Sequence, residues 1–207
     1  DIAMYGVGIF TPTLLAALAM AGPDATFIAD DIASTEATAV LDVFLVFGFI
    51  AAILLVERLG RIPLQISGFV MMAVGLIALG YTSGLPGSGD QHLALVFVGF
   101  ALFNFFQNAG PNATTYALPA EVFPSDVRSA GHGFAAGMAK LGAAVGTFFF
   151  PILMDSIGQS ALLYLLAGVC IVAVVVTVIF RIEPKGKSLD ELSGRTVTTL
   201  NPHPVPP

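Results

Sequence analysis

The chain has 207 residues, 56% of them hydrophobic and only 11% charged, with a mean hydropathy of +0.88. A soluble domain of this length needs far more polar surface, so a soluble globular fold is excluded. Eight Lys and Arg against a net charge of −6 are too few to track a nucleic-acid backbone. One cysteine, Cys170, leaves neither a disulfide framework nor a thiolate cluster, and no metal or cofactor is expected.

The apolar residues fall in blocks of about 20, the length of helix that crosses roughly 30 Å of hydrocarbon. The chain opens at Asp1 directly into such a block, which predicts a piece of a longer protein. Six spans are predicted, at 1–21, 38–56, 62–82, 93–118, 130–152 and 160–181. The fold class is therefore all-α and polytopic, embedded in a lipid bilayer.

In the first span Asp1 and Tyr5 stand four residues apart and project from one helical face. Alone, Asp1 would be unremarkable, because a helix start favours a carboxylate. Residues 23–37 and 83–92 read as loops by composition. Asp42, Glu57 and Asp126 fall near span ends and read as interfacial. The fourth span carries Asn104, Gln107, Asn108, Asn112, Thr114 and Thr115 around Gly110-Pro111. Each buried amide needs a partner, and Gly-Pro weakens the helical ladder, which is tolerated where backbone lines a cavity. Amides stitching helices together account for Asn104 and Gln107 but poorly for the whole cluster.

The fifth span contains Lys140 about midway along it, and His132 one turn in, read as neutral and hydrogen-bonded. An ionisable group at that depth costs about 2.5–3.5 kcal/mol on insertion scales, so Lys140 faces a cavity or a partner. Glycines of the same span, such as Gly137 and Gly142, show only that helices pack closely. The proline-rich tail, 182–207, is predicted to be disordered.

Arg58 and Arg61 follow span two, Arg128 precedes span five, and Arg181, Lys185, Lys187 and Arg195 follow span six. The alternate connections hold Asp24, Asp30, Asp31, Glu36, Asp90 and Asp155 but no Lys or Arg. Positive residues collect on the cytoplasmic side, which places the tail inside.

Three stretches carry a family resemblance. Glu57-Arg58-Leu59-Gly60-Arg61 resembles the (D/E)RxGR loop of the major facilitator superfamily. Pro119-Ala120-Glu121-Val122-Phe123-Pro124, followed by Arg128, resembles the P-x-E-x-F-P…R signature of its sugar porters. Glu183-Pro184-Lys185-Gly186-Lys187-Ser188-Leu189-Asp190-Glu191-Leu192 resembles their shared ending. Asp1-Ile2-Ala3-Met4-Tyr5-Gly6, Gly110-Pro111-Asn112-Ala113-Thr114-Thr115, and Arg128-Ser129-Ala130-Gly131-His132-Gly133 with Lys140-Leu141-Gly142-Ala143 are most similar to motifs of the phosphate:proton symporters.

That resemblance implies the C-terminal six-helix half of a carrier, whose N-terminal half is missing here, in a multi-pass cell (plasma) membrane protein. It implies a substrate site of Asp1, Tyr5, Asn112 and Lys140, with phosphate and a proton as small-molecule partners and Asp1 as the proton-coupling residue. Glu57, Arg58, Gly60 and Arg61, with the pair Glu121 and Arg128, would be gates that hold one cytoplasmic state closed. A proton-coupled sugar or organic or aromatic acid carrier is the alternative. A membrane enzyme or receptor is the remote one, since neither a G-x-S-x-G elbow nor an H-E-x-x-H pair is present.

Overall fold

Long apolar stretches with few charges leave the backbone only one way to satisfy its polar groups in lipid, and the described chain is helical almost throughout. The structure, a computed structural model, describes residues 1–19, 27–85 and 92–186. Its helices are α1 (Ile2–Ala19), α2 (Phe27–Leu59), α3 (Arg61–Ser83), α4 (Leu93–Gln107), α5 (Ala113–Val122), α6 (Arg128–Ile157) and α7 (Gln159–Ile179). A π-helical turn, Asn108–Asn112, joins α4 to α5 in one rod, Leu93–Val122. That rod and α2, α3, α6 and α7 are long and apolar enough to cross a membrane; α1 contributes a shorter apolar stretch, Ile2–Leu15.

The largest difference from the sequence expectation is at α2. Residues 27–37 are helix rather than loop, so α2 starts at Phe27. Polar composition suggests a loop, but no Gly or Pro interrupts 27–47, and alanines favour helix. Thr38 Oγ1 donates back to the Ser34 carbonyl at 2.8 Å, which satisfies a hydroxyl without leaving the helix. Asp42 consequently sits near the middle of α2 instead of near a span end. Residues 23–26, 86–91 and 187–207 of the expected loops and tail lie outside the described residues. The tail's expected disorder does not extend to 182–186, which pack against the start of α3 through Glu183 and Lys185.

Helix α3 is the hub, packed along α4 and α7; α1 packs on α6 and α2. The core gathers Val7 and Leu14 of α1, Leu41 of α2, Leu76 and Leu79 of α3, Phe100 and Phe103 of α4, and Leu162 and Leu163 of α7. Phe10 stacks on Phe150 with ring centroids 4.6 Å apart, tying α1 to α6. Close approach at the hub rests on one glycine pair. A Cβ on Gly110 would meet the Leu64 carbonyl at 2.6 Å and Gly68 Cα at 2.9 Å. One on Gly68 would collide with Gly110 and, closer still, with the Pro111 ring. The π turn is thereby held against α3.

Candidate functional site

Asp1 and Tyr5 lie one turn apart at the start of α1, where the Tyr5 amide donates to the Asp1 carbonyl at 2.9 Å. Helix α6 packs across this turn and brings Lys140 to both side chains. Lys140 Nζ donates to the Tyr5 hydroxyl at 2.5 Å and to Asp1 Oδ2 at 3.3 Å. It also stands 4.4 Å from the Tyr5 ring centroid and 5.8 Å from that of Tyr116. The Asp1 side chain is 7% exposed whereas that of Lys140 is 49% exposed. The carboxylate is shut in behind an ammonium that remains open on its other side. Such a cation can take an anion from the open side without first leaving its carboxylate, and as a point charge it imposes little geometry of its own.

Asn112 approaches from the π turn. Pro111 has no N–H to give to the ladder, and the wider turn accommodates the break by inserting one residue. Asn112 Nδ2 donates to Asn108 Oδ1 at 2.7 Å, and Asn108 Nδ2 donates to the Asn104 carbonyl at 3.2 Å. Asn112 shares a cavity of about 140 Å³ with Asp1, Gln107, Thr115 and Cys170. Of the four expected substrate residues, then, Asp1, Tyr5 and Lys140 touch, and Asn112 joins them through the cavity it shares with Asp1. Tyr116, beside Lys140, is absent from the residues that the sequence marks; its position four residues after Asn112 on a helical rod is the available signal. His132 lies near Tyr116, with ring centroids 6.4 Å apart.

The expected gate residues gather at one end of the bundle around Arg61. Its Nε donates to Glu121 Oε2 at 2.8 Å, and its Nη2 donates to Glu121 Oε1 at 2.8 Å and Glu57 Oε1 at 2.6 Å. The Arg61–Glu121 contact is a two-bond fork with the Arg61 side chain 12% exposed, a geometry that lysine cannot reproduce. Glu121 and Arg128, expected as a pair, are separate here: Arg128 Nε donates to the Phe123 carbonyl at 3.2 Å. The residue that intervenes is Arg61, which lies far from Glu121 in sequence and reaches it first. Arg58 enters the cluster through its carbonyl, which accepts from Lys185 Nζ.

Glu183, in sequence only one letter of a terminal motif, caps α3. Its Oε1 accepts from the Arg61 amide at 3.0 Å and its Oε2 from the Ile62 amide at 2.8 Å, a carboxylate at the positive end of a helix. Gly60 permits this: its φ is 99°, and a Cβ there would meet Glu183 Cδ at 2.9 Å.

The profile of the family described as "Sugar (and other) transporter" matches residues 18–194 of the chain. A probable inorganic phosphate transporter 1-6 of Arabidopsis thaliana is 39% identical over 153 residues, 72% of this chain and 28% of its own length. The inorganic phosphate transporter 1-1 of the same plant is 33% identical over 210 residues, 94% of this chain and 40% of its own length. The chain thus spans well under half the length of these relatives. Among solved structures, the major facilitator superfamily proton:xylose symporter XylE, bound to 6-bromo-6-deoxy-D-glucose, superposes with a TM-score of 0.74 at 21% identity. That match covers 93% of this chain and 41% of that one, and it establishes the fold.

Proposed function

The chain belongs to the sugar (and other) transporter family, a major facilitator family, and from that premise we propose that it supplies the C-terminal six-helix half of a proton-coupled phosphate carrier. The observation that carries the reading is the Lys140 ammonium held between the Tyr5 hydroxyl and the Asp1 carboxylate at the edge of a small polar cavity. The names of the relatives agree with it, being those of inorganic phosphate transporters.

Coupling follows from charge. With Asp1 ionised, its carboxylate occupies Lys140 and repels an incoming anion. With Asp1 protonated, the repulsion is gone, Lys140 is released to the anion, and the acid can donate a hydrogen bond. Proton and anion then bind with positive coupling, which is reciprocal by thermodynamic necessity. Tyr5 and Asn112 orient the anion's oxygens. Alternating access needs a second six-helix half rocking against this one around a site near the midplane. The Arg61–Glu121–Glu57 cluster would latch the cytoplasmic end in one of the two states. The arginine-bearing end and the tail face the cytoplasm, in the cell membrane. We read the protein as a carrier rather than an enzyme.

A sugar or organic-acid carrier is the second reading, favoured by the family description and by the sugar analogue in the solved relative. A neutral sugar leaves Lys140 with no counter-charge beyond Asp1, and a carboxylate suits it as well as phosphate does. Labelled phosphate uptake into proteoliposomes of the full-length carrier, with and without an inward proton gradient, separates them. Arsenate, a hexose and an aromatic carboxylate serve as competitors. Gradient-driven uptake blocked by arsenate alone is expected; movement of the hexose or carboxylate in place of phosphate overturns the assignment.

A further inference from the structure

Asp42 has no role in the site described above. It sits near the middle of α2 and lines a second cavity, of about 260 Å³, together with Tyr5 and Thr11 of α1 and Asn104 and Gln107 of α4. Among the described residues it forms no ion pair. The other titratable group at the cleft is Tyr5; Asp1, a turn before it on α1, is held by Lys140, and α4 presents no charged residue.

The neutral wall of the cleft is rich in oxygen. Thr11, Asn104 and Gln107 are 2%, 4% and 8% exposed. The Thr11 hydroxyl donates to the Val7 carbonyl at 2.8 Å, which leaves its oxygen lone pairs free to accept. Gln107 Oε1 is buried without any hydrogen-bond partner, a state that costs about 1–3 kcal/mol unless something satisfies it. An acceptor with no donor, beside a carboxylate with no cation, is a site whose missing component is positive. One carboxylate among neutral oxygens balances a single charge. Calcium and magnesium sites collect more carboxylates and waters. Among the described residues no group of three His, Cys, Asp or Glu exists for a transition metal.

We propose that the cleft between α1, α2 and α4 is a sodium-binding site, with Asp42 supplying the charge and Thr11, Asn104 and Gln107 the neutral oxygens. Gln107 also lines the smaller cavity beside Asp1 and Asn112, so a cation held here stands next to the anion site and favours its occupation. The assignment of the cleft rests on its own atoms; its link to transport rests on the phosphate reading, and a binding measurement keeps the two apart.

The test is equilibrium binding of radioactive sodium to the full-length carrier in detergent, with phosphate absent. Saturable binding displaced by excess sodium chloride but not choline chloride is expected, weakened at least about tenfold in Asp42→Asn and largely restored in Asp42→Glu. Gln107→Leu should weaken it several-fold. Absence of saturable binding, or binding unchanged in Asp42→Asn, overturns the proposal. Should the variants fail to fold, the unaltered protein still decides: sodium chloride must raise Tm above choline chloride at equal ionic strength. A Tm that answers to pH alone makes the cleft a proton site and overturns the sodium assignment. Phosphate uptake can fail in parallel without touching this result.

Discussion

Helices α3 and α6 are both apolar and long enough to span a membrane, yet they occupy opposite kinds of environment. In α3 ten of 23 residues are buried, and its neighbours lie along most of its length. In α6 only Ala143 and Phe150 of 30 residues are buried, while Phe134, Leu141 and Phe148 stand open. The glycines differ in the same sense. Gly68 of α3 has the π turn pressed against it, whereas Gly133 and Gly137 of α6 have nothing within 4 Å of a built Cβ. In lipid, hydropathy does not separate a packed helix from an open one, because hydrocarbon and protein interior are equally apolar. The buried helix organises the half-bundle and the open one presents the charged site.

The contrast can be broken at either helix. The largest effect is expected from Lys140→Gln, which should lower gradient-driven phosphate uptake about 10- to 100-fold, the scale of one lost charge-assisted contact. Because Lys140 is half exposed, Tm should move little; a large drop with uptake intact would make Lys140 a structural tie between α1 and α6. Next is Gly68→Ala, expected to destabilise by about 1–3 kcal/mol through overpacking against Gly110 and Pro111, read as a lowered Tm in detergent. Glu183→Gln removes the charge from the cap of α3 and should cost about 1 kcal/mol by the same measurement, with uptake lowered only in proportion to folded protein. The smallest is Gly137→Ala on α6, expected within about 0.5 kcal/mol of the parent. Should Gly137→Ala destabilise as much as Gly68→Ala, the distinction between packed and open helices fails.

Much of the site is legible along the chain. Asp1 and Tyr5 at one-turn spacing, with a lysine stranded in an apolar span, already announce it, because a charge at that depth needs a partner. Less legible is anything that depends on which helix faces which. Polar residues 27–37 resemble a loop when composition is weighed above the absence of helix breakers. Glu121 suggests a pair with Arg128, its neighbour in sequence, whereas the fold delivers Arg61. Asp42 looks interfacial only if its helix begins at 38, and the oxygens around it come from separate helices.

That the chain is helical, that it lies in a membrane, and which end carries the positive charge all follow from the order of its amino acids. The rules involved are local: the length of apolar runs, the need to close backbone hydrogen bonds within one segment, and the position of Arg and Lys beside the spans. Helix packing alone settles that Lys140 meets Asp1 and Tyr5, that Glu183 caps α3 past Gly60, and that Gln107 stands between two cavities with an unclaimed oxygen. Those outcomes depend on rotation and contact between helices that are all similarly apolar, and a pattern read along one helix carries no information about the azimuth of the next.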